Sequence, residues 1–298
     1  MNREKMVRDL IDWIENNLKS QLSLNHVAKK SGYSKWYLQR MFKAVTGRSL
    51  GEYIRARRLS RCAVELRLTS GTVLDIAMQY HFDSQQTFTR SFKKQFSITP
   101  GKYRQSADWI MSGMIPPLRE DNFIPPVGSF VTLPDIILTG ITHSYNCLID
   151  DVSDKRQEMS FNYWHIFLSH YYSEYPELIY GLHDPVPVRG KAGSQQIRYT
   201  TAINTQKDNH LISDPSIILI QGGSYVKFCY QGPQTGLQSF FSVIYDTCLP
   251  SLNIKRRPGM DIECFHLENE HRKIKKTSWI HCDYLIPVDL DVSNSSLR

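Results

Sequence analysis

The sequence lacks any apolar run long enough to cross a lipid bilayer. No stretch of about 18 apolar residues occurs in the 298-residue chain, and the segment after Met1 predicts an amphipathic helix, not the apolar core of a signal peptide. These absences predict a soluble, cytoplasmic protein without a membrane partner.

Cysteine is sparse, with six residues scattered along the chain and no CxxC pair. This spacing excludes a disulfide framework and a zinc ribbon. The nearest approach to a metal cluster is Cys264-x-His266 together with His281-Cys282. Strand alternation would send His281 and Cys282 to opposite faces of a sheet, so we expect no metal site and no cofactor.

The signatures of common enzyme classes are also missing. The chain has ten histidines but no GxSxG elbow, HExxH motif or Walker loop. The sequence therefore predicts a protein that is not an enzyme.

Acidic residues are scarce in the first third of the chain. Residues 1–106 hold 20 Lys and Arg against 8 Asp and Glu, a net charge of +12, whereas residues 107–298 hold 16 against 21, a net charge of −5. This asymmetry predicts two domains, and a hundred-residue domain with such an excess of positive charge usually binds a polyanion.

Residues 34–43 predict a helix with one apolar and one cationic face. At the 3.6-residue period the inward positions are Tyr37, Leu38, Met41, Phe42 and Val45. The outward positions are Lys35, Trp36, Gln39, Arg40 and Lys43. Arginine and glutamine can form bidentate hydrogen bonds to base edges, and lysine suits phosphates. Two alternatives remain open here: the outer face is merely solvated, or Trp36 belongs to the core.

The same pattern recurs 50 residues later. Residues 83–96 predict an Asp83/Gln86 capping box, an apolar face and a second cationic face. The apolar face holds Phe88, Phe92 and Phe96, and the cationic face holds Gln86, Arg90, Lys93 and Lys94. A short amphipathic helix and a tight turn precede each cationic helix, which is the arrangement of a helix-turn-helix unit.

A long helix over residues 50–68 should join the two units, after an opening helix over residues 3–19. At 1.5 Å per residue the joining helix is roughly 27 Å long, which suits two reading helices about one DNA turn apart. Its arginines, Arg55, Arg57, Arg58, Arg61 and Arg67, are predicted to point largely outward. Because the two units differ in sequence, we expect an asymmetric DNA site of about 15 to 20 base pairs bound by a monomer.

Six short motifs in this region together resemble the AraC/XylS family of bacterial transcription regulators. They are Leu24-x-x-Val-Ala28, Arg40-Met-Phe-Lys43, Tyr53-Ile-x-x-x-Arg-Leu59, Ile76-Ala77, Phe88-x-Arg90-x-Phe92-Lys-Lys94 and Thr99-Pro-x-Lys-Tyr-Arg104. The resemblance implies base contacts from Trp36, Gln39, Arg40, Gln85, Gln86, Thr89 and Arg90. We expect phosphate contacts from Lys35, Lys43, Lys93 and Lys94. One departure is His81, where much of the family has glycine in the turn.

The resemblance also implies the biology. It implies an activator that contacts RNA polymerase and binds a marbox-like site in double-stranded promoter DNA. The promoters implied are those of stress, solvent and multidrug tolerance.

Beyond the predicted DNA-binding domain of residues 1–106, a proline-containing linker is expected over residues 107–126. Residues 127–290 then change towards a period of two, and residues 291–298 form a tail. The order βαββ occurs twice, with the first helix predicted over residues 152–170, which predicts an α+β domain with pseudo-twofold symmetry and a cleft between its halves. The predicted fold is therefore an all-α domain with two helix-turn-helix units joined by a long helix, followed by this α+β domain.

The second domain resembles the GyrI-like effector-binding domains. The matching pieces are Gly222-Gly-x-Tyr225, Asp261-Ile-Glu263 and Tyr284-Leu-Ile-Pro-Val288. The resemblance implies a small amphipathic effector and an acidic cleft residue, for which Glu263 is the best match and Asp283 the next. Trp164, Tyr180, Tyr230 and Phe240 could line an apolar pocket or simply fill the core. Two other functions remain open: a hydrolase-type activity in this domain, and an architectural DNA binder without ligand sensing.

Overall fold

The computed structural model divides into two compact units. The helical unit comprises Met1–Arg67, Gly71–Ser106 and Ser112–Ile124, and the sheet unit comprises Leu68–Ser70, Ala107–Met111 and Pro125–Arg298. The predicted linker, residues 107–126, is thus shared between them. The structure describes residues 3–118, 123–148, 176–187, 194–204, 216–252, 254–267 and 279–289.

The described part of the helical unit contains seven helices. They are α1 (Arg3–Glu15), α2 (Leu24–Ser31), α3 (Lys35–Thr46), α4 (Leu50–Leu68), α5 (Val73–Gln79), α6 (Gln85–Phe96) and α7 (Pro100–Gln105). The cationic helices α3 and α6 have 12 residues each and begin 50 residues apart, as the repeat in the sequence predicts. The opening helix ends at Glu15, four residues earlier than predicted.

Local capping fixes the ends of both cationic helices. The Ser34 hydroxyl accepts a hydrogen bond from the Tyr37 N–H, and the Ser84 hydroxyl accepts one from the Thr87 N–H. Each satisfies a donor that the first helical turn leaves free. The predicted Asp83/Gln86 capping box is therefore wrong, because α6 begins one residue later, after Ser84.

Aromatic and aliphatic side chains bury the inner faces of these helices as the period predicts. Beneath α3 the ring of Phe42 lies 5.7 Å from that of Tyr53, and beneath α6 the ring of Phe92 lies 5.3 Å from that of Tyr103. Val45 is an exception: it is 42% exposed because the last turn of α3, residues 43–45, is uncovered.

Helix α4 is more deeply buried than predicted and carries buried charges. Arg57 and Glu65 are only 2% and 1% exposed. Arg57 was predicted to face solvent, but its guanidinium forms an ion pair with Glu15 of α1 at 2.8 Å. Glu65 forms an ion pair with Lys19 at 2.7 Å and accepts a hydrogen bond from the Tyr80 hydroxyl at 2.9 Å. These partners explain how the charges are tolerated inside the unit.

Within the described residues, the sheet unit is built on one antiparallel sheet of ten strands. The strands are β1 (Trp109–Ile110), β2 (Ser129–Leu133), β3 (Ile136–Leu148), β4 (Leu178–Pro187), β5 (Ser194–Ile203), β6 (Ser216–Ile220), β7 (Gly223–Pro233), β8 (Lys255–Arg256), β9 (Asp261–His266) and β10 (Trp279–Asp289). Between β7 and β8 the chain forms α8 (Leu237–Val243), a π-helical turn (Ile244–Cys248) and α9 (Leu249–Leu252).

The strand order shows two similar halves. One half runs β6-β3-β5-β4 and the other β2-β7-β10-β9, and they meet where β4 pairs with β9. The outer strands are exchanged between the halves. Strand β2 directly precedes β3 in the chain but pairs with β7, and β6 directly precedes β7 but pairs with β3. The sequence did not predict β6. The helix predicted over residues 152–170 lies outside the described residues.

The two faces of the sheet bury different clusters. One face holds a core of Leu138, Leu182, Ala202, Ile220, Tyr225, Ile262 and Leu285. On the other face α8 covers β10, and the ring of Phe241 lies 4.7 Å from that of Tyr284. The neighbouring strand β9 contributes Glu263 to this helix-covered face, because Glu263 pairs directly with Tyr284.

Candidate functional site

The predicted base-reading residues of α3 lie on an exposed face. Lys35, Gln39, Arg40 and Lys43 are exposed, and Trp36 is 66% exposed. Trp36 is therefore not a core residue in this structure. The guanidinium carbon of Arg40 lies 5.2 Å from the centre of the Trp36 ring, within the range of a cation–π interaction. This contact holds two of the predicted base-contacting side chains together.

Helix α6 presents the second predicted face. Gln85, Gln86, Arg90, Lys93 and Lys94 are exposed, and Thr89 is partly exposed. Arg90 and Lys93 occupy the positions that Arg40 and Lys43 hold in α3, 50 residues earlier. The structure thus exposes two cationic helix faces of equal length within one unit.

The turns that lead into these helices use left-handed backbone conformations. Gly32 ends α2 with φ of 73°, whereas the turn after α5 places His81 at φ of 58°. Glycine adopts this region without strain, and a residue with a side chain does so at a cost. In compensation, His81 Nε2 lies 2.9 Å from the carbonyl oxygen of Lys19, which ties the second turn to the segment after α1.

A groove of about 390 Å³ adjoins the second cationic face. Arg55 and Arg58 of α4, His81 and Arg90 contribute to its lining, with Asp83 as the acidic member. Arg58 is held by the carbonyl oxygens of Leu18 and Ser20, at 2.9 and 2.7 Å, but Arg55 is exposed. The sequence placed Arg55 on the outer side of α4 and did not connect it with Arg90, since that proximity depends on how α4 and α6 pack.

In the sheet unit, Glu263 is the predicted acidic cleft residue. It is 1% exposed and accepts a hydrogen bond from the Tyr199 hydroxyl at 2.8 Å. Gly181 faces it from β4, and a Cβ atom at that position would lie 2.6 Å from a Glu263 carboxylate oxygen. Glycine at position 181 therefore leaves the space that the carboxylate and Tyr199 occupy.

The predicted aromatic lining is only partly brought together. The rings of Tyr230 and Phe240 lie 5.1 Å apart on the helix-covered face, the same face as Glu263. Tyr180 pairs with Cys264 and lies on the opposite face, as does Asp283. Trp164 lies outside the described residues.

A second buried carboxylate, Asp261, belongs to a network that the sequence did not reveal. Its oxygens accept hydrogen bonds from the hydroxyls of Tyr245 and Tyr284, and one lies 2.8 Å from Arg256. Burial alone would raise the pKa of Asp261, but the Arg256 guanidinium and the two hydroxyls lower it below its ordinary value. This arrangement ties the helical segment after β7 and the short strand β8 to β9.

Among the described helices, none is both long and apolar enough to cross a membrane.

Two family profiles match the two units. A helix-turn-helix domain profile matches residues 27–106, and the profile of a GyrI-like small molecule binding domain matches residues 129–289. The second match covers more than half of the chain.

Known proteins match over nearly the whole length. The chain is 48% identical to transcriptional regulator Rob of Salmonella typhimurium over 288 residues, which is 97% of this chain and 99% of that protein. It is 47% identical to the right origin-binding protein of Escherichia coli over 289 residues, with the same coverage. Regulatory protein SoxS of Escherichia coli is 55% identical over 104 residues, 35% of this chain and 97% of SoxS.

These matches confirm both resemblances. The match to Rob covers 97% of the chain, so the likeness includes both the helical unit and the sheet unit. The chain therefore belongs to the AraC family of DNA-binding transcription regulators, in the Rob group, and joins a helix-turn-helix domain to a GyrI-like domain.

Proposed function

We propose that this regulator is mainly an activator that binds one asymmetric, marbox-like promoter site as a monomer, with α3 and α6 in successive major grooves. The observation that carries the proposal is the pair of exposed cationic faces, 50 residues apart in one chain, each on a capped helix of 12 residues. Because the two faces carry different residues, they read different base pairs, and a single chain needs no symmetric partner.

The residue types on these faces suit distinct roles. Arg40 and Arg90 can each form bidentate hydrogen bonds with guanine, and Gln39, Gln85 and Gln86 with adenine. Trp36 and Thr89 offer apolar contacts to thymine methyl groups or sugars. Lys35, Lys43, Lys93 and Lys94 contact phosphates, which position the helices without reading sequence.

The relatives support the finer assignment. Rob and SoxS are named as regulatory proteins, and their likeness to this chain covers both cationic helices. By this analogy the regulator recruits RNA polymerase at promoters for stress, solvent and multidrug tolerance. The GyrI-like profile supports binding of a small molecule by the sheet unit. We infer that this molecule is a small amphipathic effector that binds near Glu263, Tyr230 and Phe240, and that the regulator acts in the cytoplasm.

The DNA proposal is tested with point variants of the full chain. Fluorescence anisotropy measures binding to a marbox-containing duplex and to a scrambled duplex at several salt concentrations. Arg40→Ala should lose about 1–3 kcal/mol of binding free energy on the matched duplex and little on the scrambled duplex. Arg40→Lys keeps the charge but loses the bidentate geometry, so it should lose specificity while keeping its salt dependence.

Lys43→Ala should instead weaken binding to both duplexes equally and reduce the slope of log affinity against log salt concentration by about 1. Lys5→Ala is the charge-matched control, since Lys5 is exposed on α1, outside the two faces. If wild-type protein binds both duplexes equally at ordinary ionic strength, specific recognition is excluded and an architectural DNA binder is the better description.

Effector binding is tested by calorimetric titration with a bile salt and with a fatty acid. Glu263→Gln should change the affinity, because it removes the buried charge beside Tyr199, whereas Glu177→Gln, at an exposed carboxylate, should not. Turnover of an ester substrate by the wild type, with no reversible binding, would favour the hydrolase alternative.

A further inference from the structure

Several potential metal ligands, among them Cys229, His266, His281 and Asp283, lie on one face of three adjacent strands in the sheet unit. Cys229 of β7 and Asp283 of β10 are directly paired, and so are His281 of β10 and His266 of β9. Directly opposed residues of antiparallel strands project to the same side, and so do residues two apart on one strand. All four side chains therefore share the face opposite the helix-covered one.

The contact distances bring three of these side chains, Cys229, His281 and Asp283, within reach of a single ion. Cys229 Sγ lies 3.6 Å from His281 Nε2, and His266 Nε2 lies 3.3 Å from Asp283 Oδ2. The ligand atoms of Cys229, His281 and Asp283 all lie within 4.8 Å of one another. The two imidazole rings stack with their centres 4.1 Å apart, which places His266 beside this group.

We propose that Cys229, His281 and Asp283 form a binding site for a divalent transition metal of the zinc class, with His266 supporting His281 by ring stacking. Tetrahedral zinc has bonds of about 2.0–2.2 Å to nitrogen and oxygen and about 2.3 Å to sulfur, so its ligand atoms lie roughly 3.4–3.6 Å apart. The 3.6 Å from Cys229 Sγ to His281 Nε2 matches that spacing before any metal enters, and the other separations within the group of three are at most 4.8 Å. A set with one thiolate, one imidazole and one carboxylate suits zinc better than it suits calcium or magnesium, which bind mainly oxygen ligands.

The cross-strand geometry also explains why the sequence did not predict this site. As alternation predicts, Cys282 lies on the opposite face and is fully buried, so the pair His281-Cys282 cannot bind one ion. The thiol comes instead from Cys229, which lies 52 residues before His281 and reaches it only through strand pairing.

Charge and access both permit loading. The two anionic ligands, a thiolate and a carboxylate, balance the charge of a divalent cation, so the loaded cluster is neutral. Lys227 Nζ lies 3.6 Å from Asp283 and competes for that carboxylate, but this lysine side chain is 35% exposed and free to turn into solvent. Cys229 is exposed, so an ion can reach the cluster without unfolding of the strands.

The test uses the untagged full-length protein, stripped with a chelator and titrated with Co²⁺ and then Zn²⁺. Cobalt in a tetrahedral site with a thiolate gives strong visible bands and a near-ultraviolet sulfur-to-cobalt charge-transfer band, which Zn²⁺ should abolish by displacement. We expect one cobalt per chain and protection of Cys229 from alkylation, measured by mass spectrometry, when Zn²⁺ is bound.

Cys229→Ser should lose the charge-transfer band, and His281→Ala should lower cobalt affinity at least tenfold. His143→Ala is the matched control, since His143 is a half-buried histidine on β3, a strand outside the cluster, and should leave the spectrum unchanged. The proposal is overturned if wild-type protein gives only weak octahedral cobalt bands, or if Cys229→Ser gives the wild-type spectrum. Far-ultraviolet circular dichroism shows whether each variant retains its fold.

Discussion

The ion pair of Arg57 with Glu15 provides the sharpest stability prediction. Three hydrogen bonds join the Arg57 guanidinium to the Glu15 carboxylate, with lengths of 2.8, 2.9 and 3.1 Å, and a further one reaches the carbonyl oxygen of Ile115. Glu15 also accepts from the Tyr53 hydroxyl at 2.7 Å. The pair thus connects α1, α4 and the segment of residues 112–118.

Replacing Arg57 with alanine should destabilise the helical unit by about 3–4 kcal/mol. Removing one partner of a buried ion pair costs about 3–5 kcal/mol, because the remaining charge is left without compensation. The Glu15 side chain is 19% exposed and regains some hydration, which favours the lower end of that range. The carbonyl of Ile115 loses its donor as well, and this loss adds to the cost.

Hydrogen exchange measured by mass spectrometry separates this effect from the sheet unit. Peptides from the buried parts of α3 and α4 exchange through opening of the helical unit, so a loss of about 3 kcal/mol should speed their exchange roughly a hundredfold. Peptides from β9 and β10 should be unchanged and serve as an internal reference.

Arg55→Ala is the matched control, because Arg55 lies two residues earlier on the same helix and is exposed. Its effect should stay within about 0.5 kcal/mol. If Arg57→Ala and Arg55→Ala speed exchange equally, or if Arg57→Ala changes it less than fivefold, the argument that a buried ion pair fixes α4 is refuted.

Three further predictions concern local structure. Gly32→Ala should cost about 1–2 kcal/mol in thermal unfolding, because φ there is 73° and nothing lies within 4 Å of an added Cβ, so the cost is backbone strain alone. Gly51→Ala is the control, because Gly51 is helical and has open space for a Cβ, so this change should leave stability unchanged or raise it by up to about 1 kcal/mol. Equal losses of stability from the two changes would contradict this reasoning. Ser84→Ala should cost about 1 kcal/mol through loss of the cap on α6, seen as a lower unfolding midpoint in urea. Burial alone would raise the pKa of Asp261, but Arg256 and two hydroxyls lower it, so its stabilising effect is present above about pH 4 and is lost as the pH falls through the folded-state pKa. Asp261→Asn should flatten that acid loss in a circular dichroism titration, and an unchanged acid profile would show that another group controls it.

The sequence correctly predicted features that depend only on residues close together in the chain. The buried positions of α3 and α6, such as Phe42 and Phe92, follow from a 3.6-residue period that needs no knowledge of the rest of the chain. The matching lengths of the two helices follow from the same local pattern. The error at the start of α6 is also local: Asp83 and Ser84 can both cap a helix, and the turn through His81 selects the second.

Features that depend on distant partners could not be predicted in this way. An arginine on an amphipathic helix usually faces water, and Arg57 is buried only because Glu15, 42 residues earlier, folds back to meet it. The exchange of β2 and β6 between the two halves of the sheet has the same origin, since each strand carries an ordinary pattern and pairing alone decides its place. In the candidate site, the exposure of the two cationic helix faces was predicted residue by residue, whereas the position of Tyr180 relative to Glu263 depends on strand register.

The buried polar contacts of α4 bear directly on how the regulator reads DNA. In the proposed binding mode, reading two grooves at once requires a fixed separation of α3 and α6, and α4 is the helix that connects the two helix-turn-helix units. Apolar packing alone allows small slides and rotations, whereas hydrogen bonds to Arg57 and Glu65 hold α4 in one position against α1 and against Tyr80 at the end of α5. A change at Arg57 should therefore weaken binding to a complete site more than binding to a half-site, because only the complete site depends on the separation. This expectation gives the buried charged residues of the helical unit a mechanical role in the proposed binding mode.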